Sequence, residues 1–392
     1  MSDFSQNGVV CTLQRLNDAH LTELDSNWLP SLAQTTPVSL ILPCHAPDLL
    51  GPALVPICRE LAQAAWIHHI IIPINGLASA DLANTRDFFQ KHLPLAHTVF
   101  QTDTPAATQI LSAAAHLPPE QLPTGKGLNV WAAMGLLFAR GAGGVFALQD
   151  CDVLSFQRAS LARLCFPVAD PALEFDFAKM YYSRVTDRLY GRVSRLFLAP
   201  LLHALIRVAG HHPLLDFLQA FRYPLAGECA IRSSLASQLP IHNGWALEIG
   251  MLSGVFRQIE PARVCQVDGG SGYDHKHQPA SGNLSRMCVQ IGTALLHQLA
   301  TEGCTVDAAF LHSVARALQR ECTEAVRRSS ALARINGIPN SSGSEELVAA
   351  SFSNCLPSSL PPPEPLLPPW ESVRRVAPDT LQRLLDLPEA AP

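Results

Sequence analysis

The chain has 392 residues, of which 48% are hydrophobic and 16% charged, so it is long and apolar enough to bury a large core. This composition excludes a disordered chain and a charge-rich coiled coil. The formal net charge of −5 excludes the diffuse basic surface with which proteins bind nucleic acid.

The 11 cysteines are scattered, odd in number and without a C-x-x-C pair, which predicts neither a disulfide framework nor a zinc knuckle. The first residues lack the basic and apolar segments of a signal peptide. The longest apolar stretch, 196–210, is interrupted by Pro200 and is too short for a membrane span. We therefore expect a cytoplasmic protein without a membrane span.

Between residues 38 and 155, short apolar runs alternate with helical stretches. The predicted strands are 38–42, 69–73, 98–101 and 144–148, and the predicted helices are 49–66, 80–91, 106–115 and 127–140. Continuous apolar strands separated by helices are typical of parallel β-α-β units buried on both faces. This part of the chain is predicted to be a doubly wound nucleotide-binding half.

Beyond residue 155 the pattern mixes helices and strands. Strand-like runs lie at 226–231 and 263–267, helices at 192–208 and 248–258, two more helices within 284–335, and a short helix near 380–387. Residues 356–369 contain seven prolines and predict an extended segment. Such a segment could dock the C-terminus as a strap or be recognised by a partner domain.

Two carboxylates, Asp150 and Asp152, stand one residue apart just after the predicted strand 144–148. Ligands of open α/β sheets bind at the carboxyl ends of the strands, and paired carboxylates suit Mg²⁺ or Mn²⁺, which also take phosphate oxygens as ligands. An acidic turn after a strand has the same sequence pattern. The pair therefore needs support from other segments.

Two such segments carry a cation and an imidazole. Lys126 lies in a Gly-Lys-Gly loop before the predicted helix 127–140, where a helix N-terminus favours an anion. This loop is not a P-loop, because its spacing lacks the required first glycine and final hydroxyl. His275 follows the predicted strand 263–267 and is either a metal ligand or an ordinary surface histidine.

Arginines and lone glutamates follow in the second half. Arg192, with Arg184, Arg188 and Arg195 near it, could bind a phosphate or carboxylate with paired hydrogen bonds, or form a solvated basic helix end. Glu228 and Glu248 stand among apolar residues, where burial suits acid/base or hydrogen-bonding work. A helix-capping or salt-bridged role is the alternative for such a glutamate.

In this order, seven short motifs resemble those of the glucosyl-3-phosphoglycerate synthases. They are Leu42-Pro43-Cys44, Gly125-Lys126-Gly127, Asp150-Cys151-Asp152, Gly191-Arg192-Val193-Ser194, Pro224-Leu225-Ala226-Gly227-Glu228, Trp245-Ala246-Leu247-Glu248-Ile249-Gly250 and Asp274-His275-Lys276-His277-Gln278. The resemblance implies a GT-A fold, which is a Rossmann-like, mostly parallel sheet flanked by helices. It also implies a divalent metal and transfer of glucose, with retention, from UDP-glucose or another NDP-glucose to 3-phosphoglycerate. The product is a precursor of the compatible solute glucosylglycerate.

The resemblance also implies a role for each matching residue. Asp152 and His275 would bind the metal, Asp150 the ribose or metal, Lys126 the donor phosphates, and Glu248 the glucose hydroxyls near the reacting carbon. Donor contacts would also come from Pro43, Asn75, Leu225, Ala226 and Gly227. The acceptor phosphate would be held by Gly191, Arg192 and Ser194, the last standing where some relatives have threonine.

Two departures from the family pattern concern the nucleotide. Asn75 stands where relatives have an acidic or serine-bearing loop, and the segment around Pro43 lacks a glutamate of many relatives and offers Asp48 instead. The base preference therefore stays open, as do a mannose donor or another acceptor. A catalytically silent nucleotide-sugar-binding protein is a further alternative. A nucleotidyltransferase would need a glycine-rich loop after the first strand, which the chain lacks.

These expectations divide the chain into five parts. They are an N-terminal extension (1–37), a nucleotide-sugar-binding half (38–155), a mixed α/β acceptor-binding half (156–283), C-terminal helices (284–355), and a proline-rich strap with a terminal helix (356–392). Helical C-terminal regions commonly support association, so a homodimer is compatible with this arrangement.

Overall fold

The computed structural model describes residues 6, 8–78, 81–271, 281–339 and 342–387. Nine strands in these ranges form one sheet. They are β1 (Cys11–Leu13), β2 (Val38–Ile41), β3 (Cys44–His45), β4 (Ile67–Asn75), β5 (His97–Gln101), β6 (Val145–Leu148), β7 (Phe177–Ser183), β8 (Cys229–Arg232) and β9 (Val264–Ser271).

The sheet has the order β1-β9-β7-β8-β6-β2-β4-β3, and β5 also pairs with β4. Strand β8 runs antiparallel to both of its neighbours, and the other pairings are parallel. The predicted mostly parallel sheet is therefore confirmed. Because the sheet runs through both predicted halves, the carboxyl ends of β2, β4 and β6 share one edge with segments from the second half.

Helices cover both faces of the sheet. They are α1 (Ala19–Glu23), α2 (Leu29–Leu32), α3 (Leu54–Leu61), α4 (Asp81–His92), α5 (Pro105–Ala115), α6 (Lys126–Ala139), α7 (Arg158–Ala169), α8 (Ala199–Ala209), α9 (Pro213–Ala220), α10 (Ser233–Ala236), α11 (Leu247–Gln258), α12 (Ser281–Thr301), α13 (Ala308–Ile335), α14 (Ser342–Ser353), α15 (Trp370–Val376) and α16 (Pro378–Leu384). Among the described helices, none combines the length and apolar character that crossing a bilayer requires.

The core consists of two clusters, one on each face of the sheet. Strand β6 shows why its sequence does not alternate: Phe146 and Leu148 point into one cluster, while Val145 and Ala147 point into the other. A strand buried on both sides needs apolar residues at every position. The continuous apolar runs of the first half are explained in the same way.

Proline and glycine shift two of the predicted helices. The predicted helix 49–66 is wrong at its start, because Ala46–Leu50 forms a 3-10 turn and α3 begins only after Gly51 and Pro52. Before α8, Ser194–Leu198 forms a π-helical segment. Pro200 has no N–H to donate to the Leu196 carbonyl, which instead accepts a hydrogen bond from Cys322 Sγ at 3.3 Å.

The proline-rich segment lies against α6. Trp131 Nε1 donates to the Pro368 carbonyl and Trp370 Nε1 donates to the Trp131 carbonyl, both at 2.8 Å. The two indole rings stack with centroids 4.2 Å apart. A Cβ at Gly135 would overlap the Trp370 ring, so this position of α6 requires glycine. The segment is thus anchored to the helix that follows the Gly-Lys-Gly loop.

Replacing Trp370 tests this anchor. Trp370 is 2% exposed, so Trp370→Ala is expected to lower the free energy of unfolding by about 3–5 kcal/mol, measured by urea denaturation. Val376→Ala in the same helix removes a side chain that is 66% exposed and should stay within about 0.5 kcal/mol of wild type. Equal losses in the two variants would show that the anchor contributes nothing specific.

Candidate active site

Two adjoining cavities open at the carboxyl ends of the parallel strands. The first has a volume of about 550 Å³ and the second of about 260 Å³. Four predicted site residues line both of them: Lys126, Asp150, Asp152 and Glu248. The two cavities therefore meet at the charged residues that the sequence singles out.

Lys126 forms ion pairs with two carboxylates. Its Nζ lies 2.7 Å from Asp150 Oδ1 and 3.1 Å from Glu248 Oε1. Lys126 opens α6 directly after Gly125, whose φ of 107° lies in a region that glycine adopts readily. Burial lowers the pKa of Lys126, but the charges of Asp150 and Glu248 together raise it by more than burial lowers it. The pKa of Lys126 therefore lies well above its ordinary value. Lys126 is therefore a fixed cation near neutral pH.

The segment before β8 touches Asp150 from the other side. A Cβ at Gly227 would overlap the Asp150 carboxylate, so only glycine fits there. Leu225 and Gly227 line the second cavity. Ala226 is fully buried in the core and lines neither cavity, so its predicted contact with the sugar stays untested.

Glu228 lies beneath this segment and is fully buried. It accepts hydrogen bonds from Tyr182 Oη at 2.9 Å and from Gln149 Nε2 at 3.3 Å. Neither cavity is lined by Glu228. Because Gln149 directly precedes Asp150, we interpret Glu228 as a support for the acidic pair rather than as a contact for ligands.

The second cavity is rich in arginine and tyrosine. Gly191, Arg192 and Ser194, the predicted acceptor-binding residues, line it together with Arg184 and Tyr223. Gly191 has a positive φ of 69°, which allows the sharp turn into the helical segment.

The sequence placed Arg184 among the arginines near Arg192 without a role of its own, and it did not single out Tyr223. Arg184 Nη1 donates to Tyr223 Oη at 3.4 Å, and Tyr223 also shares a hydrogen bond with Ser194. Arg184 Nε is buried and has no hydrogen-bond partner among the described residues. The position of Arg184 directly after β7 was the available signal, since ligands bind near strand ends.

Arg195 does not belong to the arginine cluster of the second cavity. Its guanidinium forms a two-pronged ion pair with Glu345 of α14 and donates to the Tyr190 carbonyl at 3.1 Å. The expectation that Arg195 contributes to an anion cradle is therefore wrong. Its side chain instead fastens the C-terminal helices to the segment that carries Arg192.

The acidic pair suits a hard divalent cation by its donor chemistry, because carboxylate oxygens are the ligands that Mg²⁺ and Mn²⁺ prefer. Among the described residues, no group of three or more histidines, cysteines or acids has the geometry of a complete metal site. His275 lies outside the described residues. Asp150 and Asp152 thus fit an ion whose other ligands would come from water, a substrate phosphate or a residue outside the described ranges such as His275.

The remaining predicted residues line the first cavity. Pro43 and Asn75 lie at the ends of β2 and β4, and Asp48 lines the same wall. The Asp48 carboxylate accepts a hydrogen bond from the His45 main chain at 3.1 Å. The fold thus brings every predicted site residue to one of the two cavities, except Ala226 and His275. His275 falls outside the described ranges.

Individual relatives, rather than a family model, show which family the chain belongs to. No family model matches it. Glucosyl-3-phosphoglycerate synthase of Persephonella marina is 32% identical over 395 residues, covering 98% of each chain. The chain belongs to the glucosyl-3-phosphoglycerate synthase family. The synthase of that name from Methanococcoides burtonii is 29% identical over 373 residues, covering 91% of each chain.

Solved structures of another glucosyl-3-phosphoglycerate synthase have the same fold as this chain. The Mycobacterium tuberculosis glucosyl-3-phosphoglycerate synthase with Mg²⁺ and UDP has a TM-score of 0.54 and 20% identity, covering 74% of this chain and 86% of that one. The same enzyme with Mn²⁺, UDP-glucose and phosphoglyceric acid has a TM-score of 0.54 and 19% identity, covering 74% and 87%. The predicted GT-A fold is confirmed, and the chain is a glycosyltransferase.

Gly227→Ala tests the contact between the segment before β8 and the acidic pair. The added methyl group must displace the Asp150 carboxylate, so the free energy of unfolding should fall by about 1–3 kcal/mol in urea denaturation. Gly143→Ala is the matched control, because a Cβ at Gly143 meets nothing within 4 Å. If both variants match wild type, the Gly227 segment is looser than the structure indicates.

Proposed function

We propose that this protein transfers glucose from UDP-glucose to 3-phosphoglycerate with retention, as a step toward glucosylglycerate. One observation carries the proposal: two cavities meet at Lys126, Asp150, Asp152 and Glu248, and the second of them is lined by arginines. A group that leaves as a diphosphate and an acceptor that carries phosphate both need fixed positive charge. The names of the relatives support glucosyl transfer to 3-phosphoglycerate, and the Mycobacterium tuberculosis enzyme forms a complex with UDP-glucose and phosphoglyceric acid.

In the donor half of the reaction, Lys126 supplies a fixed cation where negative charge develops on the leaving diphosphate. Its ion pairs with Asp150 and Glu248 hold its Nζ in place. When bound at Asp152, with His275 as a predicted further ligand, Mg²⁺ or Mn²⁺ supplies additional positive charge to the diphosphate. Asp150, already paired with Lys126, is assigned to the ribose.

Glu248 is assigned to the glucose hydroxyls. One of its oxygens accepts a hydrogen bond from Lys126 at 3.1 Å, and its side chain is 13% exposed, so it is partly open to the cavities. Lys126 fixes the orientation of the Glu248 carboxylate, which suits hydroxyl binding. No carboxylate is assigned as a nucleophile, so retention is attributed to attack on the same face from which the diphosphate departs.

In the acceptor half, Arg192 and Ser194 are assigned to the phosphate of 3-phosphoglycerate, with Gly191 shaping the turn. Arg184 adds a second guanidinium to the same cavity, held by Tyr223. Fixing the acceptor by its phosphate places its hydroxyl near the donor sugar, which contributes mainly through proximity. The cytoplasm is the proposed compartment, in accord with 11 free thiols, and a homodimer stays a prediction.

The direct test is mass analysis of products after incubation with NDP-sugars, Mg²⁺ and 3-phosphoglycerate. Glucosyl-3-phosphoglycerate is expected from UDP-glucose. Asp152→Ala should reduce its formation at least about 100-fold, because leaving-group stabilisation is lost. Product from a mannose donor alone, or from free glycerate alone, would contradict the assigned substrates, and UDP-glucose binding without any transfer would contradict the proposed reaction.

Arg192→Ala is expected to raise the KM for 3-phosphoglycerate and lower kcat/KM about 10- to 150-fold, since a charge-assisted contact is lost. The KM for UDP-glucose should stay near its wild-type value. Arg59→Ala is the matched control, because Arg59 is an exposed arginine on α3 and lines neither cavity. An unchanged KM for 3-phosphoglycerate in Arg192→Ala would remove Arg192 from the acceptor site.

A further inference from the structure

Asn129 is a buried amide in the lining of the first cavity, and the mechanism above gives it no role. It lies one turn into α6 and is 1% exposed. Its Nδ2 is within hydrogen-bond distance of the Cys44 carbonyl at 3.2 Å, the Pro73 carbonyl at 3.4 Å and Asn75 Oδ1 at 2.9 Å. Asn129 therefore joins the ends of β3 and β4 where they line the cavity.

The orientation of the Asn129 amide is fixed by its partners. Main-chain carbonyls can only accept hydrogen bonds, so the Cys44 and Pro73 carbonyls require the NH₂ group of Asn129 on their side. On the opposite side, Asn129 Oδ1 accepts from Thr102 Oγ1 at 2.6 Å. A flipped amide would place its oxygen against two other oxygens, which is unfavourable in a buried site.

This orientation dictates that of Asn75. Because Asn129 presents N–H groups, the atom of Asn75 that faces it must be the accepting oxygen, Oδ1. The NH₂ group of Asn75 then points away from Asn129. Among the described residues, no acceptor pairs with this NH₂ group. Its nitrogen is not one of the buried polar atoms that lack a partner, so the group is open to a ligand in the first cavity.

We propose that Asn129 is a positioning residue that locks Asn75 as a hydrogen-bond donor, so that the donor site selects a base with a carbonyl oxygen over one with an amino group. The inference rests on the proposed function, because it assigns the first cavity to a nucleotide sugar. Uracil presents O4 where cytosine presents an amino group, and guanine and adenine differ in the same way at O6 and N6. An asparagine without this lock can offer either end of its amide, and so would not discriminate.

The test compares UDP with CDP by isothermal titration calorimetry on the full chain in the presence of Mg²⁺. Uracil and cytosine differ at position 4, where O4 is replaced by an amino group, and at N3, where an N–H donor is replaced by an acceptor. The ratio of the UDP and CDP dissociation constants therefore reports how the site reads this edge of the base. Wild type is expected to bind UDP at least about tenfold more tightly than CDP, because an amino group facing the locked NH₂ leaves donors unpaired. A wild-type ratio near one overturns the inference.

Two variants separate the lock from a purely structural role. In Asn129→Leu, Asn75 is free to rotate and the ratio should fall toward one. In Asn75→Asp, one oxygen still faces Asn129 while the other offers an acceptor to the base, so CDP should bind more tightly than UDP. Asn75 is only partly buried, so this variant keeps the test decisive even if Asn129→Leu fails to fold.

Thr102→Val is the matched control. It removes the bond to Asn129 Oδ1 but leaves the two carbonyl partners that orient the amide, so the wild-type ratio should persist. An unchanged ratio in Asn75→Asp, or in a folded Asn129→Leu, overturns the inference.

Different results would contradict the proposed function and this inference. Preference for UDP over CDP without glucose transfer to 3-phosphoglycerate contradicts the function and leaves the base selection standing. Transfer that shows no preference between UDP-glucose and CDP-glucose contradicts the selection and leaves the function standing. If neither UDP nor CDP binds, both are overturned.

Discussion

The contact on which the site depends is the ion pairing of Lys126 with Asp150 and Glu248. The three side chains come from the start of α6, the end of β6 and the first turn of α11. A partly buried cation is tolerated only when it is paired, and two facing carboxylates without a cation between them would repel. The network therefore joins α6 and β6 from the first half of the chain to α11 from the second half, at the point where both cavities open.

Helix α6 gains its importance from this contact. Its N-terminal end carries Lys126 and, one turn later, Asn129, so one helix positions both the fixed cation and an amide in the lining of the first cavity. Its back is held by the proline-rich segment through the stacked Trp131 and Trp370 rings. The proline-rich segment thus packs against the same helix that carries Lys126 and Asn129.

The charges are divided between the two cavities. Asp150 and Asp152 lie where both meet, while the guanidinium groups of Arg184 and Arg192 line the second cavity. Tyr223 accepts a hydrogen bond from Arg184, and the buried Glu228 accepts one from Gln149, which directly precedes Asp150. This separation agrees with the proposed roles, in which Asp152 binds the metal and the arginines hold the anionic acceptor.

The sequence by itself determined the parallel strands of the first half, because a strand buried on both faces must be apolar throughout. It also determined the acidic pair after β6 and the motif order that indicates the family. Only the tertiary structure decided which of the neighbouring arginines serve the site: Arg195 pairs with Glu345, which is distant in the chain, whereas Arg184 turns into the cavity. The orientation in which Asn75 offers a hydrogen-bond donor to the cavity is likewise set by Asn129, Cys44 and Pro73 together. Such hydrogen bonds join residues far apart in sequence, and their direction depends on three-dimensional placement that local patterns do not encode.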